Sequence, residues 1–340
     1  MTLGTITVDA LAVPRPPALL LIVGSDQDSK MMMGPEPIPV TGGSDLSRLI
    51  GHRTPYCLMH VTKDFFEQAP CHPNLIPFRT ALNLVTDPDQ NPQVLVNVGQ
   101  ILRDFSGRVV NGPDAVRRTT RDDVARTLAG IPSLVVPKVL RLDKAERERA
   151  SDALVGAGLR FPVLLRRAGT HSGEFIGRFE TAEQVLDALG PVGDHIITEF
   201  VDFASPDGLY RKYRVFFIGT RLIFRHMLVS DRWNVHASAR NEFMISRPDL
   251  IAEEERVLAS PAGGLPADLL SALEQVRARM PLDYFGMDFG ITPSGELLLF
   301  EANATMNFFP FSDDPCFNYV KQSARPAQHA FHELIGLPVA

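Results

Sequence analysis

Asp288, Glu301 and Asn303 carry the oxygen chemistry of the stretch "MDFGITPSGELLLFEANATMN", residues 287–307, where they interrupt two otherwise apolar runs. Thr292-Pro293-Ser294-Gly295 is a turn signal, so the segment reads as strand, tight turn, strand, with the second strand over Leu297 to Ala302. Acids and amides in a strand that wants burial are costly unless something binds them. With an even turn, Ile291 faces Glu296 and Asp288 faces Leu299. Alternation then puts Glu301 and Asn303 on the face of Asp288, with Glu301 as its diagonal neighbour. Two carboxylates and an amide oxygen are hard ligands, few in number. They suit magnesium, or manganese, that completes its shell with water and phosphate oxygens. A nucleotide is therefore expected nearby, and without the cation the acidic patch repels itself. The alternative is a solvated sheet face with a fraying strand end, and hairpin geometry alone does not choose between them.

A second candidate is "RRAGTHSG" at 166–173, where Gly169 and Gly173 flank Thr170 and Ser172. Backbone N–H groups and hydroxyls there can wrap phosphate oxygens, although the pattern is not that of a P-loop and a plain hairpin loop accounts for it equally. Arg166 ends the preceding strand and projects a guanidinium toward whatever the loop holds. In "TEFV", Glu199 with Phe200 and Val201 sits at a passage between units, where a cleft forms and an adenine or ribose can be hydrogen-bonded.

The elements that position these residues are those of a soluble α/β protein. At 340 residues, 45% apolar and 22% charged, the chain has room for two or three domains. A net charge of −6 argues against a nucleic-acid surface. Cys57, Cys71 and Cys316 have neither metal-ligand spacing nor an even count, which points to a reducing cytoplasm. "ALLLIV" at 18–23 is too short to span a bilayer and reads as a buried strand, and the methionine run at 31–33 as a core patch. The runs "ALLLIVG", "YCLMHVT" and "VLVNV" make 1–112 a small α/β unit whose helices are hard to place. From 113 to 195 a helix capped by Thr120 and stopped by Gly130 leads to strand–glycine loop–strand and a second helix with Thr181 and Gln184 as a capping box. From 196 to 340 a hairpin turning at Gly219-Thr220 and a helix over "PADLLSALEQVRARM" deliver the chain into the carboxylate hairpin.

Taken in order, "FPVLLRRAGTHSG", "TEFV", "KYRVFFIG" and "MDFG…FEANATMN" resemble the phosphate flap, adenine linker, hairpin and metal set of the ATP-grasp superfamily. That superfamily includes D-alanine–D-alanine ligase, glutathione synthetase and the ligases that add glutamate to a ribosomal protein tail. The resemblance implies the α/β (α+β) ATP-grasp fold, an N-terminal α/β unit followed by two α+β subdomains that clamp ATP. It implies that Arg166 and Arg121 stand where the family has lysines, and that Arg214 is the hairpin arginine facing phosphates or acceptor, a cross-strand charge partner being the alternative. Asn234 and His236 in "DRWNVHASAR" fall where the family carries a polar run at the transferred phosphate, with His236 as a general base or a merely structural histidine. The implied function is an ATP- and magnesium-dependent ligase that joins a carboxylate to an amine through an acyl phosphate. Its partners are small-molecule or peptide substrates, with no nucleic acid or membrane, and homo-oligomerisation is left open. A small-molecule kinase and a non-catalytic nucleotide-binding module are the alternatives.

Overall fold

The computed structural model describes residues 18–28, 46–51, 54–68, 73–143, 149–170, 175–190, 193–260 and 262–337. The methionine run at 31–33 and Cys71 lie outside them. β1 (Leu19–Val23), β2 (Tyr56–His60), β3 (Thr80–Asn83) and β4 (Arg108–Val110) form a parallel sheet in the order β2-β1-β3-β4. β1 needs no polar break because both faces are covered: Leu20 and Ile22 enter one apolar cluster, Leu19, Leu21 and Val23 another. The order reverses between β1 and β3, which places the crevice of this sheet at their carboxyl ends. The run "VLVNV" is helical. It belongs to the helix Pro92–Ile101, which starts on Pro92 and buries Val94, Leu95, Val98 and Ile101 along one face.

The helix Arg121–Leu128 begins at Thr120, whose side chain accepts from Asp123 N, and Gly130 follows its end at φ +74°. After it come β5 (Leu134–Val135), β6 (Val139–Leu142), β7 (Val163–Arg167), β8 (Gly177–Phe179) and β9 (His195–Glu199). The last four make a small antiparallel sheet, β6-β9-β7-β8, with its own core of Leu142, Leu154, Val163, Leu165, Val185 and Ile197. Thr181 caps the helix Ala182–Ala188, and Gln184 Oε1 accepts from Glu180 N at 2.8 Å, one residue before the partner a capping box requires.

β10 (Tyr210–Ile218), β11 (Arg221–Ser230), β12 (Tyr284–Ile291) and β13 (Leu297–Asn303) form the large antiparallel sheet, and β5 adds to β13 in parallel, giving β11-β10-β12-β13-β5. Its register is pinned by stacked cross-strand rings, Tyr213 on Phe289 at 5.1 Å and Phe217 on Phe285 at 4.6 Å. Each fully buried ring contributes about 1.5–3 kcal/mol, and a one-residue slip would turn every ring to the wrong face. The helix Ala267–Arg279 buries Leu269, Leu273 and Val276, with Leu270 only half-buried. On the opposite face Phe216, Ile218 and Tyr284 pack against Phe331 and Leu334 of the helix Ala324–Ile335. Further along the same strands that face leaves the core, and its next positions are Lys212, Arg214 and Asp288. Gly286 marks the boundary, since a Cβ there would sit 2.7 Å from Met306 Sδ. Among the described residues no helix is long and apolar enough to cross a membrane.

Candidate active site

Four strands of the large sheet present one transverse row. Asp288 is paired with Glu301 on β13 and with Arg214 on β10, and Arg214 is paired with His226 on β11. This corrects the expected register. The turn is odd, not even: Ile291 pairs with Leu297, because Thr292 closes the loop by donating its N–H to Glu296 O at 2.8 Å and accepting from Glu296 N on its Oγ1 at 3.1 Å. A bulge at Phe300 then adds a second one-residue shift. The two shifts restore parity, so Asp288, Glu301 and Asn303 do share a face, but Glu301 lies directly opposite Asp288 and not diagonally.

Nor does the acidic patch repel itself. Arg214 grips Asp288 with two bonds, Nε to Oδ1 at 2.6 Å and Nη2 to Oδ2 at 2.8 Å, and Lys212 Nζ lies 3.5 Å from the same carboxylate. Arg121 donates Nη2 to Glu301 Oε2 and Nη1 to Phe300 O at 3.3 Å. Burial pushes the Glu301 carboxyl up, but the charges of Arg121, Arg166, Arg214 and Lys212 outweigh it and leave the group at about 2. Asn303 Oδ1 accepts from Thr305 N at 3.0 Å, and Thr305 Oγ1 donates to Thr86 O at 3.1 Å, which ties the end of β13 to the loop after β3. Among the described residues no three or more His, Cys, Asp or Glu side chains cluster as a metal site, so any cation here depends on the Asn303 oxygen besides the two acids. By donor chemistry the set fits a small hard cation.

The row lies in a cleft of about 1030 Å³ between the three sheets. Arg121, Arg166, Glu199, Phe200, Val201, Arg214, Asn234, His236, Asp288, Glu301 and Asn303 all line it. Arg166 is buried, stacked 4.2 Å over the Phe175 ring, and no carboxylate among the described residues pairs with it. Burial and the charge of Arg121 push its guanidinium below its usual value. Leu164 and Thr198 of the small sheet, and Leu298 and Leu299 of the large one, line the same cleft and give it apolar lining. The Glu199 carboxylate itself is engaged, accepting from Arg160 N at 2.8 Å and Arg160 Nη2 at 3.3 Å. His236 is pushed below its usual value by burial and by Lys212, against the pull of Glu242.

Gly169 and Thr170 do not line the cleft. Gly169, at φ +70°, offers its carbonyl to Gln90 Nε2, and Thr170 Oγ1 donates to Arg167 O at 2.8 Å. Ser172 and Gly173 lie outside the described residues. Sequence reasoning passed over Lys212, Arg225, His226 and the Asp87–Asn91 segment that closes the cleft from the first sheet. Lys212 had a signal, since it lies two residues from Arg214 on the same face of a strand.

No family model and no curated protein matches the sequence. Solved structures do match over most of the chain. A D-Ala:D-Ser ligase from Enterococcus faecalis is 14% identical, with a TM-score of 0.54 over 95% of this chain and 99% of its own. A RimK domain ATP-grasp protein from Sphaerobacter thermophilus is 14% identical, with a TM-score of 0.52 over 94% and 99%. A D-alanine–D-alanine ligase from Bacillus anthracis is 13% identical, with a TM-score of 0.51 over 94% and 95%. The chain therefore has the ATP-grasp fold, with mixed parallel and antiparallel sheets, as its motifs imply.

Proposed function

We propose that the protein is an ATP-dependent ligase joining a carboxylate to an amine through an acyl phosphate. The observation that carries this is the Arg214–Asp288–Glu301 row, floored by a sheet and facing a cleft in which the buried Arg166 has no carboxylate partner among the described residues. Adenine would lie on the apolar lining beside Phe200 and Val201, with the triphosphate extending toward Arg166. Its oxygens take over the guanidinium groups of Arg121 and Arg214, which leaves Glu301 and Asp288, with Asn303, to hold magnesium or manganese. The metal supplies neutralisation of the transferring phosphoryl group and a template for its oxygens. A substrate carboxylate oxygen attacks the γ-phosphorus as the bond to the β-phosphate oxygen breaks and ADP leaves. The amine then attacks the acyl carbon, inorganic phosphate departs, and the amine proton passes to a base.

His236, neutral at pH 7, is the candidate for that base, with Asn234 beside it to orient the phosphate. The loop that opens with Gly169 and Thr170 would have to close over the cleft to keep water from the acyl phosphate. Residues 113–195 and 196–340 are proposed as the two subdomains that clamp ATP, after an N-terminal α/β domain over 1–112, working on small-molecule or peptide substrates in the cytoplasm. Hydroxylamine, standing in for the amine, tests the chemistry. A panel of carboxylates with magnesium–ATP should give ADP together with a hydroxamate for at least one member, and Glu301→Gln should give neither. ADP release that no carboxylate stimulates and no hydroxamate accompanies would rule the ligase out.

A further inference from the structure

Beyond the nucleotide site, the His226 end of the row carries a feature that ATP does not use. Val215 pairs with Phe224 and Arg214 with His226, so Arg225 is the extra residue of a bulge on β11. In a regular strand side chains 225 and 226 would leave by opposite faces. Bulges re-aim side chains, and here both residues line the cleft. At this end each of the other cations has a carboxylate neighbour: Arg214 holds Asp288, Lys212 lies beside the same acid, and Arg240 holds Glu254. Arg225 is different. It is 6% exposed and donates only to carbonyls, Nε to Phe308 O at 2.6 Å and Nη2 to Pro310 O at 2.8 Å, with its guanidinium 4.2 Å from the Phe311 ring centroid.

Of five guanidinium N–H donors these bonds use two, and among the described residues no carboxylate pairs with Arg225. A buried unmatched charge is costly, and the two carbonyls fix this one while three of its five N–H donors have no hydrogen-bond partner among the described residues, enough to take a bidentate anion. His226 Nε2 is buried without a hydrogen-bond partner among the described residues. Burial first, then Arg214, Arg225, Arg240 and Lys212, keep its imidazole neutral, so it adds hydrogen-bonding capacity without charge. The other cleft-lining guanidinium without a carboxylate partner among the described residues, Arg166, feels the charges of Arg121 and Glu301 at the opposite end of the row. One end thus suits the nucleotide phosphates, and the other requires a second anion.

We propose that Arg225 and His226 form a carboxylate-binding subsite that seats the acceptor substrate, an inference that rests on the ligase reading for the substrate's role but not for the anion's binding. Formate, the smallest carboxylate, is the probe. ¹⁵N-labelled protein is titrated with sodium formate against sodium chloride at matched ionic strength, with and without saturating magnesium–ADP. The signals followed are Nε–Hε of Arg225 and Arg166 and the ring nitrogens of His226. Formate, and not chloride, should move Arg225 and His226 saturably. Arg225→Gln should weaken that binding at least tenfold, and Arg225→Lys should recover part of it. Should Arg225→Gln not fold, the wild-type titration decides alone. Absent or chloride-like shifts at Arg225 and His226, or an unchanged response in Arg225→Gln, would overturn the subsite. Magnesium–ADP binding is read from Arg166 in the same samples. A formate response without a nucleotide response counts against the nucleotide reading alone, and the reverse against the subsite alone.

Discussion

Two buried arginine–carboxylate pairs lie within one sheet and its flanking helices, and they are built to opposite ends. Glu254 is wholly buried and accepts from both Nη atoms of Arg240, from Tyr319 Oη at 2.7 Å and from Met227 N at 3.0 Å. Those four bonds fill a carboxylate's capacity, so the pair is closed. Asp288 is held by Arg214 and approached by Lys212, but all three line the cleft, and the Asp288 row continues to Glu301 and its own arginine. The same chemistry gives a lock in one place and an exchangeable set of charges in the other. The difference is access: both partners of the Arg214–Asp288 pair line the cleft, whereas of the other pair only Arg240 does, and its acid, Glu254, is wholly buried behind it.

Breaking each pair should separate the two roles. The largest effect is expected for Glu254→Ala, which strands Arg240 and Tyr319 in the core and should cost about 3–5 kcal/mol of stability by urea unfolding. A loss below about 1 kcal/mol would mean that the lock is not one. Asp288→Asn should lower ATP turnover by about 10²–10³-fold while costing less stability than Glu254→Ala, because water in the cleft can replace the lost bonds. Turnover and unfolding measured on both variants sharpen the contrast, and equal stability losses would erase it.

Arg166 offers a third, smaller test. With no carboxylate partner among the described residues, Arg166→Ala should leave stability unchanged or raised, while weakening ATP binding by about tenfold or more and Arg166→Lys by less. Calorimetric titration of both decides whether the unmatched charge serves the phosphates. The smallest effect concerns pH. The Glu301 carboxyl lies at about 2 in the folded protein, below its unfolded value near 4.5. Its contribution to stability is therefore fully present above about pH 4.5 and is lost as pH falls toward about 2. The stability gap between wild type and Glu301→Gln should close across that window, and a gap independent of pH would show that Glu301 is not the group held by the arginines.

Much of this site was legible in the residues, and the part that was not has a physical cause. Alternation placed Asp288, Glu301 and Asn303 on one face, and the segment order implied the fold that the structural likenesses bear out. Bulges leave no mark in the sequence, since each adds one residue without a change of residue type. The odd turn and the Phe300 bulge together hid the direct Asp288–Glu301 pairing, and the Arg225 bulge hid the arginine and histidine that now end the row. "VLVNV" suits either period, and only its place behind Pro92 settles it as a helix. The pairings of Arg121 with Glu301 and of Arg214 with Asp288 span 180 and 74 residues, and no local pattern reports them.

The central claim is that the arginine-held carboxylates of this row serve a metal–nucleotide complex. Isothermal calorimetry of ATP binding, with magnesium and with a chelator, on wild type and Glu301→Gln tests it most directly. Glutamine keeps the shape beside Arg121 where alanine would leave that arginine unsupported. Wild type should bind ATP at least tenfold more tightly with magnesium, and Glu301→Gln, still folded by its melting curve, should lose most of that difference. Equal affinities with and without magnesium in the wild type, or an undiminished magnesium effect in the variant, would contradict the account.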